Sequence, residues 1–142
     1  MSCSLLGTHR LSLRCRGNAV IEAALVLPIL LVLAFGTVEF GYFFYLRHNL
    51  QGAAREGVRA AIIASATNSD VNSAVASAMT SYGLQNCGYT VSISPNDVSK
   101  TGDGTSIIVT VQCNWGTAGV RPLGLISSSK VVAGRAVMRK EG

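Results

Sequence analysis

The chain has 142 residues, of which 49% are hydrophobic and 13% are charged, and its formal net charge is +5. This length allows one small domain in addition to a membrane segment. Three of the twelve cations, Arg10, Arg14 and Arg16, lie near the N-terminus, which leaves nine cations against seven acids in the rest of the chain. Because positive and negative charges are nearly equal in the rest of the chain, the sequence argues against a nucleic-acid-binding domain. The basic N-terminus is instead expected to face anionic lipid on the cytoplasmic side of a membrane.

Residues 1–17 mix Ser, Leu, Gly, His and Arg without a sustained hydrophobic period, which predicts a cytoplasmic leader rather than a folded element. An apolar run from Ala23 to Val38 follows, inside a longer stretch bounded by Arg16 and Arg47. Its length matches the ~20 residues that a helix needs to cross a bilayer. The sequence therefore predicts one transmembrane helix. Six of the nine aromatic residues lie between Phe35 and Tyr45, at the distal end of this span, where they are expected to mark the outer interface.

Several short motifs in this region resemble a known family. Gly17-Asn18-Ala19-Val20-Ile21-Glu22 is similar to the processing site of type IV-like prepilins. The wider pattern resembles the TadE-like minor pseudopilins of tight-adherence (Tad/Flp) pilus systems, although Ala23 stands where an aromatic residue is expected. The motifs that carry this resemblance are Pro28, Phe35-Gly36, Glu39-Phe40-Gly41 and Ala53-Ala54-Arg55-Glu56-Gly57.

The resemblance implies that a prepilin peptidase cuts after Gly17 and leaves Asn18 as the new N-terminus. It also implies partners, namely other pilin or pseudopilin subunits and the pilus assembly machinery, and a role in pilus biogenesis and adherence. The implied location is the bacterial inner membrane, as a single-pass protein whose N-terminus is cytoplasmic and whose head is periplasmic or extracellular.

Two acids lie at the ends of the predicted span. Glu22 is expected either to set the register of an assembly, by pairing with the α-amine of Asn18 on a neighbouring subunit, or to be hydrated at the headgroups. Glu39 follows after ~25 Å of helical rise, near the opposite interface. It is expected to pair with Arg47 or with a partner helix, or to be solvated.

Beyond the membrane the helix is predicted to continue as an amphipathic extension, so that residues 18–66 form one helical unit. Thr67 to Asp70 then provides an N-cap for a second short helix that ends at Gly83. Residues 67–142 are predicted to form an extracytoplasmic α+β head with a small antiparallel sheet of about three strands.

The predicted strands are 87–94, 106–113 and 130–139, and the first two alternate apolar and polar residues. A hairpin register that places all their apolar residues on one face pairs Val91 with Val109 and Cys87 with Cys113. The sequence therefore predicts a Cys87–Cys113 disulfide, which fits an oxidising compartment, with two free structural thiols as the alternative.

No catalytic chemistry is predicted for the head, because the only histidines are His9 in the leader and His48 at the membrane surface. No metal-ligand spacing or phosphate loop is present, and Asp97 and Asp103 are expected to form a turn rather than a Ca²⁺ site. We therefore expect no enzymatic activity, no cofactor and no small-molecule substrate.

A second hypothesis is a signal-anchored envelope binding module with no role in a filament. Val32-Leu33-Ala34 would then serve as an ordinary signal-peptidase site. The loop from Trp115 to Ser129 would bind the ligand, with Trp115 as an interaction anchor, although a packing role for Trp115 is the alternative.

Overall fold

A computed structural model describes residues 13–141 of the chain, and it describes side chains from residue 19 onward. The fold is α+β, as predicted: a long N-terminal helix, a short second helix and a three-stranded antiparallel sheet of order β1-β2-β3. The elements in chain order are α1 (Leu13–Ala61), α2 (Asn68–Ser81), β1 (Thr90–Ser94), β2 (Ser106–Asn114), α3 (Trp115–Ala118) and β3 (Val131–Arg139).

Helix α1 has 49 residues and therefore a length of about 75 Å. It begins at Leu13, inside the predicted leader, whereas the predicted mature helix begins at Asn18. Residues 1–12 of that leader lie outside the described residues. The helix ends at Ala61 rather than at 66, and it passes through Pro28 without interruption. The long helix is thus confirmed, with both ends shifted toward the N-terminus.

The distal part of α1 forms one wall of the hydrophobic core. Leu46, Leu50, Ala53, Ala54 and Val58 are fully buried against α2 and the inner face of the sheet. Small residues permit this packing. A Cβ at Gly57 would lie 2.6 Å from Val75 Cγ2, and a Cβ at Gly134 would collide with the α1 backbone at Leu50 and Gln51. The boundary predicted between residues 66 and 67 therefore does not separate a self-contained head from the helix.

The start of α2 follows the prediction. Thr67 is the N-cap, its side chain accepts a hydrogen bond from the Asp70 backbone N–H, and the Asp70 carboxylate accepts one from the Thr67 backbone N–H at 2.9 Å. The Thr67 hydroxyl also donates to the Asp70 carboxylate at 2.7 Å, and this bond together with the one from the Thr67 backbone N–H lowers the pKa of Asp70. Val71, Val75 and Met79 form the buried stripe of the helix, and Gly83 takes the left-handed backbone that ends it.

The predicted hairpin register is wrong by two residues. Val91 pairs with Val111 and Ile93 with Val109, so that Cys113 lies level with Tyr89 and not with Cys87. Strand β1 also begins at Thr90 rather than at 87, because Gly88 has a left-handed backbone with φ of 66° that interrupts the extended chain. A shift of two residues keeps the same side chains on the inner face, so hydrophobic alternation alone could not have detected it.

The loop that connects β1 and β2, where the observed register departs from the predicted one, packs against the C-terminal segment. Val98 is fully buried, and the Lys140 ammonium donates to the carbonyls of Val98 and Thr101, both at 2.9 Å. The backbone N–H of Gly104 donates to the carbonyl of Lys140 at 3.0 Å. The connection is therefore a folded loop that contributes to the core and is held by the C-terminal segment.

Candidate assembly and membrane site

The proximal part of α1 exposes its apolar side chains. Helix α1 contains one candidate membrane span, Ala19–Ala61, whose most apolar window has a mean hydropathy of 2.5 and is only 6% buried. These apolar residues are therefore not the core of a soluble domain. Because 43 residues are about twice what a bilayer requires, one part of the helix can lie in the membrane while the distal part packs into the head.

The predicted processing residues and Glu22 lie in the proximal part of α1. Gly17 and Asn18 are in helical backbone. Glu22 is exposed, among the exposed side chains of Val20, Ile21 and Leu25. Glu22 thus lies on a surface that another molecule can reach.

Glu39 lies where the exposed part of α1 meets the head, and it is fully buried. Its carboxylate accepts hydrogen bonds from the backbone N–H of Ile126 at 2.8 Å and of Leu123 at 3.3 Å. Its partner is thus the loop after α3, and neither Arg47 nor solvent, which corrects two of the expectations for this residue. A carboxylate with two backbone donors is compensated for its burial.

The loop that binds Glu39 lies along the exposed surface of α1. Leu125 packs on Gly36, where a Cβ would lie 3.7 Å from Leu125 Cδ1. Around this contact, a shallow apolar groove is lined by Val32, Leu33, Gly36, Thr37, Phe40, Gly41 and Leu125. Leu125 is 54% exposed and Leu123 is 38% exposed. The loop therefore adds apolar surface to that of the helix at the same height.

The aromatic cluster divides into an inner and an outer set. Tyr42 and Phe43 pack against Trp115, with ring centroids 6.0 and 5.4 Å apart, while Phe40 and Phe44 are about half exposed. Trp115 itself is fully buried. The structure thus places Trp115 in the core as a packing residue, so it presents no exposed ring to a ligand.

Gln51 has a structural role that the sequence did not predict. The Gln51 side chain donates to the Arg135 carbonyl at 2.7 Å and accepts from the Arg135 backbone N–H at 3.1 Å. These two hydrogen bonds pair the backbone N–H and C=O of Arg135 on the edge strand β3, and they connect this strand to α1. A partner so distant in sequence leaves no local signal.

The predicted Cys87–Cys113 disulfide is not present, and the register that predicted it is wrong. Both residues are buried free thiols. Burial raises the pKa of Cys113 to about 12 and also raises that of Cys87, while a hydrogen bond between the two thiols lowers the pKa of Cys87 in part. Both thiols are therefore protonated at neutral pH.

Asp97, in the β1–β2 connection, is engaged in turn formation. Asp97 accepts hydrogen bonds from the side chain and backbone N–H of Ser99, and its carboxylate lies 3.0 Å from the Lys100 ammonium. These contacts lower the pKa of Asp97 to about 2. Within residues that the structure describes, no group of three or more His, Cys, Asp or Glu side chains could hold a metal ion.

Comparison with known families gives one match. The family model described as TadE-like protein matches residues 17–59, which agrees with the resemblance seen in the sequence. This range includes Gly17, Asn18, Glu22 and Glu39 and most of the described length of α1. No curated protein and no solved structure matches the chain. The family match points to a protein associated with the Tad pilus.

Proposed function

We propose, from the TadE-like residues 17–59, that this chain is a minor pseudopilin that takes part in building a Tad/Flp-type pilus and so in adherence. The observation that carries the proposal is the division of α1 into two parts. Its proximal part exposes a continuous apolar surface, while its distal part is the wall of a folded head. A subunit of this shape can be stored in the bilayer and later packed beside other helices.

Two kinds of apolar neighbour can cover the apolar surface of α1, and they differ little in free energy. Lipid tails cover it before assembly, and the helices of neighbouring subunits cover it afterwards. Because lipid is as apolar as the side chains, exchange of one cover for the other is driven by packing and by polar contacts rather than by the hydrophobic effect. In the proposed assembly Glu22 provides such a polar contact, since an exposed carboxylate on an apolar helix is stabilised by an ammonium partner.

Processing after Gly17 would create that ammonium partner, the α-amine of Asn18. We propose that a prepilin peptidase makes this cut and that the protein is otherwise a structural component without catalytic activity of its own. The proposed orientation has a cytoplasmic N-terminus in the bacterial inner membrane and a periplasmic or extracellular head. Three arginines precede the span (Arg10, Arg14 and Arg16) and three follow it closely (Arg47, Arg55 and Arg59), so the positive-inside rule gives a tie and the proposed orientation rests on the prepilin-like motif at Gly17.

The test is the mature N-terminus of the protein isolated from cells that contain its pilus system, measured by mass spectrometry. A chain that begins at Asn18 supports the proposal. A chain that begins at Phe35 would support a secreted head, and an intact Met1 would support a plain membrane anchor; either result contradicts a processed pseudopilin.

A matched pair of glycine variants sharpens this test. Gly17→Leu places a bulky side chain at the proposed scissile residue and is expected to leave the leader attached. Gly41→Ala lies in the same helix, with open space around the added methyl group, and is expected to be processed like the unsubstituted chain. Equal processing of both variants would show that the cut is not directed by Gly17.

A further inference from the structure

The loop after α3 contacts α1 at a particular height. Leu125 packs on Gly36, and the Ile126 and Leu123 backbones bind Glu39. The exposed apolar run of α1 begins at Val20, and the ~20 residues that cross a hydrocarbon core bring the outer interface close to Glu39. The loop is therefore level with the outer boundary of the membrane in which the helix is proposed to lie.

A non-helical loop at this depth has a specific physical problem. In hydrocarbon no water is available for its backbone N–H groups, so such a loop is tolerated only where protein groups satisfy them. Glu39 does this for two N–H groups, and the loop in turn covers a carboxylate that would otherwise face lipid. Each partner removes the cost of burying the other.

The outer surface of the loop has the composition of a membrane anchor. Val120, Leu123 and Leu125 are 48%, 38% and 54% exposed, and Arg121 is exposed beside them. Leucines can enter the acyl region while the arginine reaches back to lipid phosphates. This surface also continues without a break into the apolar surface of α1 through the Leu125–Gly36 contact.

We propose that the loop of residues 119–126 is a second membrane anchor, which Glu39 holds against α1 so that Leu123 and Leu125 insert into the outer leaflet beside the helix. This inference rests on the proposed membrane location of α1. The loop and α1 together fix the head against the bilayer at two points, and this sets the tilt of the head relative to the membrane. Lipid is the occupant because the loop surface is continuous with the span and combines leucines with a cation at headgroup level.

The test measures contact with lipid directly. Leu125→Trp is made in the full-length chain, which is reconstituted into vesicles of phosphatidylcholine and phosphatidylglycerol whose acyl chains carry bromine near the carbonyl end. Bromine quenches tryptophan fluorescence on contact. Trp115 is the only native tryptophan and is buried, so the unsubstituted chain supplies its constant contribution.

Two further variants serve as controls. Val137→Trp replaces an apolar residue on the outer face of the sheet that is 52% exposed, close to the exposure of Leu125, and is expected to keep its fluorescence. Leu30→Trp lies in the middle of the span and is expected to lose fluorescence with lipids brominated deep in the acyl chain. The proposal expects Leu125→Trp to lose fluorescence with bromine placed at shallow depth.

Loss of fluorescence at Leu30→Trp but not at Leu125→Trp would overturn the loop anchor and leave the membrane span intact. No loss at either position would overturn the membrane location as well. If quenching at Leu125→Trp disappears as protein density in the vesicles rises, a second copy of the chain covers the loop, which also overturns lipid as the occupant.

The role of Glu39 is tested by adding Glu39→Gln to the Leu125→Trp and Leu30→Trp chains. An uncharged amide replaces the carboxylate that accepts two N–H groups, so we expect weaker quenching at Leu125→Trp and unchanged quenching at Leu30→Trp. Unchanged quenching at both positions would remove Glu39 from the proposal. Fluorescence of the buried Trp115 in the unsubstituted background reports whether the head stays folded.

Discussion

At Gly134 the backbone of β3 lies directly on the backbone of α1. A Cβ at this position would collide with Leu50 and Gln51, and Gln51 also binds the neighbouring Arg135 through two hydrogen bonds. This contact joins α1, which contains the candidate membrane span, to the edge strand of the head. It leaves no room for any side chain, and the colliding atoms are backbone, which cannot rotate away.

We therefore expect Gly134→Ala to lower the free energy of unfolding by about 1–3 kcal/mol, the usual cost of overpacking a core. The measurement is denaturant unfolding of the head in mild detergent, followed by the fluorescence of Trp115. Gly102→Ala is the matched control, because Gly102 has open space around it. Equal midpoints for the two variants would show that β3 and α1 are less closely packed than described.

The two buried thiols make stability depend on alkaline pH. The unfolded chain loses its thiol protons near pH ~8.5, whereas the pKa of Cys113 in the folded head is about 12. Because the folded pKa is raised, the contribution is complete below the unfolded pKa and is lost as pH rises between these two values. The loss is at most about 1.4 kcal/mol per pH unit for each thiol.

The matched comparison is the reduced wild-type head against Cys113→Ala, unfolded by denaturant at pH values from neutral to strongly alkaline. The variant is expected to be less stable at neutral pH because it loses a packed side chain, but its free energy of unfolding should fall less steeply with pH. The difference between the two proteins therefore narrows in alkali. Parallel curves would mean that Cys113 titrates normally in the folded head.

Among the elements, α1 is the one without which we expect the head not to fold. Its buried residues Leu46, Leu50 and Val58 face α2 and the sheet, and Glu39 binds the loop after α3. We expect a fragment of residues 67–142 to remain unfolded, because the inner face of its sheet would be uncovered. A fragment of residues 39–142 retains the wall of the core and is expected to fold.

Circular dichroism and amide hydrogen exchange distinguish the two fragments. The longer fragment should protect the amides of β2, the central strand, whereas the shorter one should exchange them at the rate of an unfolded chain. Protected amides in the shorter fragment would show that the sheet and α2 form a core without α1, contrary to the packing described here.

The strands show what the hydrophobic pattern of the sequence can and cannot predict. Alternation identified β1 and β2 and the residues that face inward, since side-chain direction follows a period of two. It could not distinguish the observed register from one shifted by two residues. In the structure Val98 is buried within the connection and its carbonyl accepts a hydrogen bond from Lys140, and such a contact between a loop and the distant C-terminal segment leaves no periodic signal.

The features of the candidate site likewise divide into those that the sequence could predict and those that it could not. The span, the N-cap at Thr67 and the prepilin-like motif around Gly17 depend on neighbours in sequence, and they could be identified before the fold was known. The partner of Glu39 could not, because Ile126 lies 87 positions away along the chain. Backbone N–H groups also have no residue-type signature, so any loop in the sequence was an equally good partner.

At the scale of the whole molecule, the proximal and distal parts of α1 have different surroundings, since the first is exposed and the second is buried in the head. Its proximal surface requires lipid or other helices, and its distal surface requires its own sheet. The carboxylates at the two ends of the exposed part differ accordingly, since Glu39 is satisfied within the chain while Glu22 is exposed. An exposed acid on an apolar surface is a position where a neighbouring subunit can gain specificity.

We therefore expect Glu22→Gln to leave membrane insertion intact, because an uncharged amide is tolerated in the span at least as well as a carboxylate. Its incorporation into the pilus assembly should fall, because the ion pair with the α-amine of a neighbouring Asn18 is lost. Insertion is measured by the fraction of the chain in carbonate-washed membranes, and incorporation by the amount that co-purifies with assembled pili.

Glu56→Gln provides the control, since Glu56 is another exposed acid of α1 but lies on the part of the helix that belongs to the head. It should affect neither measurement. If Glu22→Gln is incorporated as well as the control, the carboxylate does not set the register, and recognition between subunits must rest on the shape of the apolar surface alone. A variant that fails to reach the membrane would instead place the effect of Glu22 before assembly, at insertion.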